Sequence, residues 1–227
     1  MKQLFLGMLL LFSATVASAQ NDWGNIGKYA AENRELASQP NDGRRVVFLG
    51  NSITELWKAN HPDFFRDNHY ICRGISGQTT YQYLVRFRED VINLKPKVVV
   101  INGGTNDIAE NNYAYNEDVT YGNILTMVEL ARAHKIKVIM TSVLPSSKYG
   151  WRPNLPDVQG KISRLNARLE AYAKRNKIAY VDYYSALVSG PEKSLNPQYT
   201  KDGTHPTGKG YDIMEPLVQK AIRKYVK

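Results

Sequence analysis

Ser52 comes directly after Gly50-Asn51 at the end of an apolar run. Far downstream, Asp202-Gly-Thr-His205-Pro sets a carboxylate three positions before an imidazole. A serine hydroxyl is a weak nucleophile at neutral pH. It needs a base to take its proton, and that base needs a carboxylate to fix its tautomer and stabilise the imidazolium. Ser52, His205 and Asp202 are the three groups such a hydrolase requires. Two other chemistries fit less well. An α/β-hydrolase elbow reads Gly-x-Ser-x-Gly, but Thr54 stands two residues after Ser52. Asp202 and His205 could ligate a metal, yet His61, His69 and His134 show no ligand spacing with acidic partners. No metal and no cofactor is expected.

These groups must be brought together by elements that the apolar pattern outlines. Short apolar runs at Arg44 to Gly50, Tyr70 to Gly74, Val98 to Asn102, Lys137 to Val143 and Ile178 to Asp182 read as buried strands. Helix-period segments lie among them at Tyr81 to Leu94, Asp118 to His134 and Val158 to Asn176, with Gly208 to Tyr225 closing the chain. This alternation predicts βαβ units, hence a three-layer α/β/α sandwich around a mainly parallel sheet of about five strands. In such sheets ligands sit beyond the carboxyl ends of the strands. Ser52, Gly77 and Asn106 all follow strand-like runs, while Asp202 and His205 lie in a loop before the last helix. Taken singly each position is ordinary, since a serine opening a helix is commonly an N-cap and a loop glycine serves turn geometry.

The chain has 227 residues, 43% of them hydrophobic and 22% charged, which suits one globular domain. Residues 1–19 read as a signal peptide: Lys2 gives the charged start, Leu4 to Phe12 the apolar stretch and Ala17-Ser18-Ala19 the small-residue cleavage site. That apolar stretch is short of the roughly 20 residues a bilayer span needs, so export is expected without stable membrane insertion. Residues 20–45 then form a segment leading into a domain over 46–227. Cys72 is the single cysteine, which excludes an internal disulfide and marks a small buried residue. The formal charge of +9 falls to +8 without Lys2, but the basic residues are dispersed and no nucleic-acid motif accompanies them. A solvated basic surface is expected, and no nucleic-acid partner. His134 fits the C-terminal end of a helix, and His61 before Pro62 fits a helix-start loop. The oligomeric state is not legible.

Gly50-Asn51-Ser52-Ile53, Gly74-Ile75-Ser76-Gly77, Gly103-Gly104-Thr105-Asn106-Asp107 and Asp202-Gly-Thr-His205-Pro, in this order, resemble the four blocks of the SGNH hydrolases, the GDSL esterase/lipase superfamily. The resemblance spans about Val46 to Tyr211. It departs at Asn51, where the family's name-giving tetrad has an aspartate that is not a triad member. The wording Gly-Ile-Ser-Gly-Gln-Thr-Thr and Gly-Gly-Thr-Asn-Asp-Ile is similar to the branch of platelet-activating-factor acetylhydrolase-like and carbohydrate acetylesterases. The resemblance implies a flavodoxin-like fold, Ser52 as nucleophile, His205 as base and then acid, and Asp202 as its orienting carboxylate. It assigns the oxyanion hole to the Ser52 and Gly77 N–H groups and the Asn106 amide. Chemistry agrees: glycine lets its backbone approach a substrate, and an amide can donate where a carboxylate would repel.

The loop Leu144 to Pro156 should overhang the site, and its Tyr149, Trp151 and Arg152 are candidates to stack on a sugar or read a carboxylate. Tyr113 and Tyr115 are lesser candidates. The resulting expectation is an exported serine esterase releasing short acyl groups, acetyl foremost, from a carbohydrate or other small ester. The alternatives are a lysophospholipase or thioesterase of the same fold, and a non-catalytic carbohydrate-binding protein.

Overall fold

The computed structural model describes residues 22–226. The expected signal peptide, residues 1–19, lies outside them. Five parallel strands, β1 (Val46–Gly50), β2 (Tyr70–Gly74), β3 (Val98–Ile101), β4 (Lys137–Thr141) and β5 (Ala179–Val181), form one sheet in the order β2-β1-β3-β4-β5. Nine helices accompany them among the described residues: α1 (Ala30–Ser38), α2 (Ser52–Asn60), α3 (Pro62–Asp67), α4 (Thr80–Asp90), α5 (Thr105–Ile108), α6 (Glu117–Ala133), α7 (Val158–Arg175), α8 (Tyr183–Leu187) and α9 (Gly208–Ile222). A two-stranded antiparallel pair, β6 (Val188–Ser189) and β7 (Ser194–Leu195), stands apart from the sheet.

Successive strand residues point to opposite faces, so a strand covered on both sides must be apolar throughout. Val47, Leu49, Val99 and Ile101 pack with Tyr83 and Phe87 of α4, Met127 and Val128 of α6, and Leu165 and Leu169 of α7. Val46, Phe48, Val98 and Val100 face Trp57 of α2, Phe64 and Phe65 of α3, and Met214 and Val218 of α9. Phe48 is the hub of that second face, with Trp57, Phe64 and Phe65 set edge-on around it at 5.3–6.0 Å. Each such side chain, fully buried, stabilises the fold by roughly 1.5–3 kcal/mol. Cys72 is buried here as expected, and its loss of solvation pushes the thiol up.

All five expected strands are present, trimmed by up to two residues at either end. The segment expected to run helical from Tyr81 to Leu94 instead stops at Asp90 and continues as a separate 3-10 turn, Ile92–Leu94, closed by Lys95 in a left-handed conformation. His134 caps the C-terminus of α6, as its position predicts. Of α2 and α3 only the starts are marked in the sequence, by Ser52 and by His61-Pro62, while α1, α5, α8 and the β6/β7 pair are not anticipated at all. Residues 22–45, the described part of the expected lead-in, hold α1, which packs beside β2 and α4 through buried polar bonds described below.

The strand order places a switch point between β1 and β3. From β1 the chain goes outward to β2, whereas from β3 it proceeds the other way to β4 and β5. Loops that leave β1 and β3 therefore diverge and open a crevice at their carboxyl ends.

Candidate active site

β1 ends at Gly50, and Asn51 caps α2 by accepting the Ile53 N–H on its side-chain oxygen at 2.9 Å. Ser52 is thereby the first residue of α2, directed into the crevice. Its Oγ lies 2.9 Å from His205 Nε2, and His205 Nδ1 lies 2.7 Å from Asp202 Oδ2. With the carboxylate accepting at Nδ1, the imidazole proton sits there and leaves Nε2 free to accept from the serine. The three-residue spacing matters because Asp202 serves two ends at once. Its Oδ1 accepts the backbone N–H groups of Thr204 at 2.9 Å and His205 at 2.8 Å, while Oδ2 holds the ring. Thr200 closes the turn by donating its hydroxyl to the His205 carbonyl at 2.8 Å. Partial burial pushes the Asp202 carboxyl up, but the backbone and ring bonds from His205 and the Thr204 N–H outweigh it and bring it down to about 2. The carboxylate is therefore ionised throughout the physiological range.

Facing this trio is the loop from β2 to α4. Gly77 adopts φ +77°, a region costly for residues with a Cβ, and a Cβ built there meets nothing within 4 Å. The neighbouring polar groups are held from several sides. Glu55, one turn along α2 from Ser52, accepts both the N–H and the hydroxyl of Ser76, and pairs with Lys28. Asn106 Nδ2 donates to the Gln78 carbonyl at 2.9 Å, which leaves its second amide proton for a ligand. The Gln78 side chain accepts from Arg86 Nε at 2.6 Å and donates to the Gly24 carbonyl at 2.8 Å. Arg86 is fully buried; it also donates to the carbonyls of Gly50 and Arg73 and pairs with Asp90, tying the ends of β1 and β2 to this loop. Asn33 of α1 in turn donates to Asp90 and accepts from Arg73, and the Tyr29 hydroxyl donates to the Gly74 carbonyl at 2.5 Å. The segment before β1 is thus part of the scaffold beneath the crevice.

The model of the GDSL-like lipase/acylhydrolase family matches residues 48–213, which enclose every one of the candidate groups. The chain belongs to that family. It is similar to a GDSL-like lipase of known structure from Bacteroides thetaiotaomicron, 63% identical, with a TM-score of 0.87 over 88% of this chain and 98% of that one. It also resembles the platelet-activating factor acetylhydrolase IB subunit alpha2 of Homo sapiens, 28% identical over 179 residues, which is 76% of this chain and 73% of that protein. An acetylxylan esterase from Xylanibacter ruminicola is 23% identical over 84% of this chain and 45% of its own length. The acylhydrolase is an ester-hydrolysing enzyme.

The enzyme's remaining candidates divide. Trp151 is 44% exposed, and its indole lies against the His205 ring, centroids 6.1 Å apart and planes at 28°. Arg152 donates to the Glu110 carbonyl at 3.1 Å and remains exposed at the rim. Tyr149 is a correction: it is fully buried in the core, 5.1 Å beneath the Trp151 ring, so it supports that ring and has no surface to offer a substrate. Tyr113 and Tyr115 are half-buried, each with its ring engaged by neighbours. Tyr113 donates its hydroxyl to Asp107 at 2.6 Å, and Tyr115 packs against the core with Lys161 over its ring. Asp107 itself is buried and accepts the backbone N–H and hydroxyl of Thr80 at the start of α4, which locks α5, and with it Asn106, onto that helix. Burial pushes its carboxyl up against the pull of those bonds.

Glu55, Gln78, Arg86, Asp107 and Asn111 are the polar partners that sequence reasoning did not single out. Gln78 and Asp107 at least fall within quoted motifs, and a signal was available there. Nothing local marks Arg86, whose partners come from three separate elements. A surface cleft of about 330 Å³ lined by Arg45, Tyr70 and Arg223 lies at the opposite, amino end of the strands and contains no nucleophile–base pair.

Proposed function

We propose that the enzyme is exported and hydrolyses short acyl esters, acetyl foremost, on carbohydrates or related small alcohols, through a Ser52–His205–Asp202 triad. The observation that carries this reading is the continuous chain from Ser52 Oγ to His205 Nε2 at 2.9 Å and from Nδ1 to Asp202 at 2.7 Å. His205 takes the serine proton as Oγ attacks the ester carbonyl carbon. The resulting oxyanion is received by the N–H groups of Ser52 and Gly77 and by the free amide proton of Asn106. As the tetrahedral intermediate collapses, His205 passes the proton to the departing alkoxide, leaving an alcohol and an acyl-Ser52. Water, deprotonated by the same imidazole, then attacks the acyl carbon; Ser52 regains its proton and a carboxylic acid is released.

Two observations support a small acyl group and a sugar-like alcohol. Trp151 presents an indole face beside the base, the kind of surface on which a pyranose stacks. The names of two relatives, an acetylhydrolase and an acetylxylan esterase, both concern acetyl groups. Among the described residues no helix is long and apolar enough to cross a membrane. Export rests on residues 1–19 and is tested by the N-terminal sequence of protein recovered outside the cytoplasm.

The decisive experiment pairs Ser52→Ala with a series of p-nitrophenyl esters and acetylated oligosaccharides. Ser52→Ala should fold and lose turnover, a fluorophosphonate should label Ser52 alone, and kcat/KM should fall from acetyl through butyryl to octanoyl. Turnover by a folded Ser52→Ala protein would refute the triad. A series rising toward octanoyl would shift the substrate to lipids.

A further inference from the structure

Asn111 lies beyond the last turn of α5, and its three polar groups reach three different parts of the site. Its backbone N–H donates to the Asn106 carbonyl at 3.1 Å. Its side-chain oxygen accepts the Trp151 indole N–H at 2.9 Å, and its side-chain nitrogen donates to the Gly77 carbonyl at 3.1 Å. One amide therefore joins the ring that lies against His205 to the residue proposed above as an oxyanion donor.

Gly77 needs such a partner. At φ +77° a glycine has neighbouring conformations of similar energy, no side chain packs at its Cβ position, and the turn around it is closed by one long bond, from the Gln78 N–H to the Ile75 carbonyl at 3.3 Å. Its N–H can hold a fixed direction only if the peptides on both sides are restrained. Glu55 restrains the preceding residue through Ser76, and Asn106 restrains the following one through the Gln78 carbonyl. The Gly77 carbonyl itself is restrained by Asn111. A donor held in advance acts on the transition state without reorganising, so loosening it lowers kcat rather than ground-state binding.

We infer that Asn111 is a positioning residue that couples the Trp151 loop to the oxyanion donor Gly77, so that the indole acts on catalysis through its N–H as well as on substrate through its face. The inference rests on the triad and oxyanion roles proposed above. Its consequence is that even an ester too small to touch Trp151 responds to the loss of the indole N–H.

The test uses full-length mature protein and p-nitrophenyl acetate, with Asn111→Ala, Trp151→Phe, the double variant and Ser52→Ala run side by side. Trp151→Phe keeps an aromatic ring against His205 while removing the N–H donor together with part of the indole surface. Loss of one neutral hydrogen bond in the relay corresponds to roughly tenfold in rate. Asn111→Ala should therefore lower kcat about tenfold with KM little changed, Trp151→Phe should lower it several-fold, and the double variant should be no slower than Asn111→Ala. Affinity for a trifluoromethyl ketone, which forms a tetrahedral adduct with serine, should fall by the same factor as kcat/KM. The inference is overturned if Asn111→Ala keeps its kcat, if the two single losses multiply, or if KM alone changes. Should Asn111→Ala not fold, the near-isosteric Asn111→Asp, which retains an acceptor for Trp151 but no donor for Gly77, must show the same kcat loss. A folded, active Ser52→Ala would instead indict the triad, so the two failures are distinguishable.

Discussion

Replacing Asn106 by alanine removes two bonds with different consequences, and the geometry separates them. The amide proton directed to the Gln78 carbonyl at 2.9 Å is a ground-state bond within a buried loop. Its loss leaves that carbonyl unpaired at a cost of about 1–3 kcal/mol. For a chain of this length each kcal/mol moves Tm by about 2–4 °C, so a decrease of roughly 2–12 °C is expected. The second amide proton meets charge only when the oxyanion forms. Removing one such donor costs about 10²–10³ in kcat, or about 2.7–4 kcal/mol of transition-state stabilisation, with little change in KM. Steady-state kinetics on p-nitrophenyl acetate at 20 °C below the variant's own Tm, normalised to fluorophosphonate-reactive sites, isolates the second effect from the first. A raised KM with kcat intact would make Asn106 a substrate-binding residue. A kcat within threefold of the parent would refute the oxyanion role.

Asp202→Asn should reduce kcat by about 10⁴, because an amide no longer holds the imidazole in the required tautomer. The same change carries a pH signature. The carboxyl is at about 2 in the fold against roughly 3.9 in an unfolded chain, so its stabilisation is complete above pH ~4 and disappears as pH falls through 2. The difference in Tm between parent and variant should shrink over that interval, and a constant difference from pH 5 to pH 2 would contradict the assignment. Gly74→Ala should destabilise by about 1–3 kcal/mol or more, since the new methyl would come within 2.3 Å of the Glu55 backbone nitrogen, where α2 crosses β2. Gly122→Ala, inside α6 with open space at the Cβ position, should instead stabilise by about 0.5–1 kcal/mol; thermal melts of the pair that showed the same sign would undo this account.

How much was legible depends on how local the signal is. The five strands are apolar at nearly every position because the sheet is covered on both faces, and that is written along the chain. The short helix α5 is not, because four residues carry no period; Asp107 bonding to Thr80 is what holds it. The aromatic loop shows the same limit. Tyr149 and Trp151 are two residues apart and chemically alike in sequence, yet one is sealed in the core and the other is 44% exposed beside His205. Residue type does not state which side of a loop faces water.

The motif blocks by themselves determined the nucleophile, base, acid and oxyanion candidates, and the apolar runs determined a parallel α/β sheet with those blocks at its carboxyl edge. Such information is one-dimensional: strand period, turn chemistry and the Asp202-to-His205 spacing act between near neighbours. What only the tertiary structure decided is the support beneath them: Arg86 bridging two strand ends, α1 braced against Asp90 and Arg73, and Asn111 between Trp151 and Gly77. Buried polar groups take whatever partners folding brings within about 3 Å, because leaving one unpaired costs more than a single bond contributes. Those partners lie up to 57 residues apart in the chain, so they are chosen by packing.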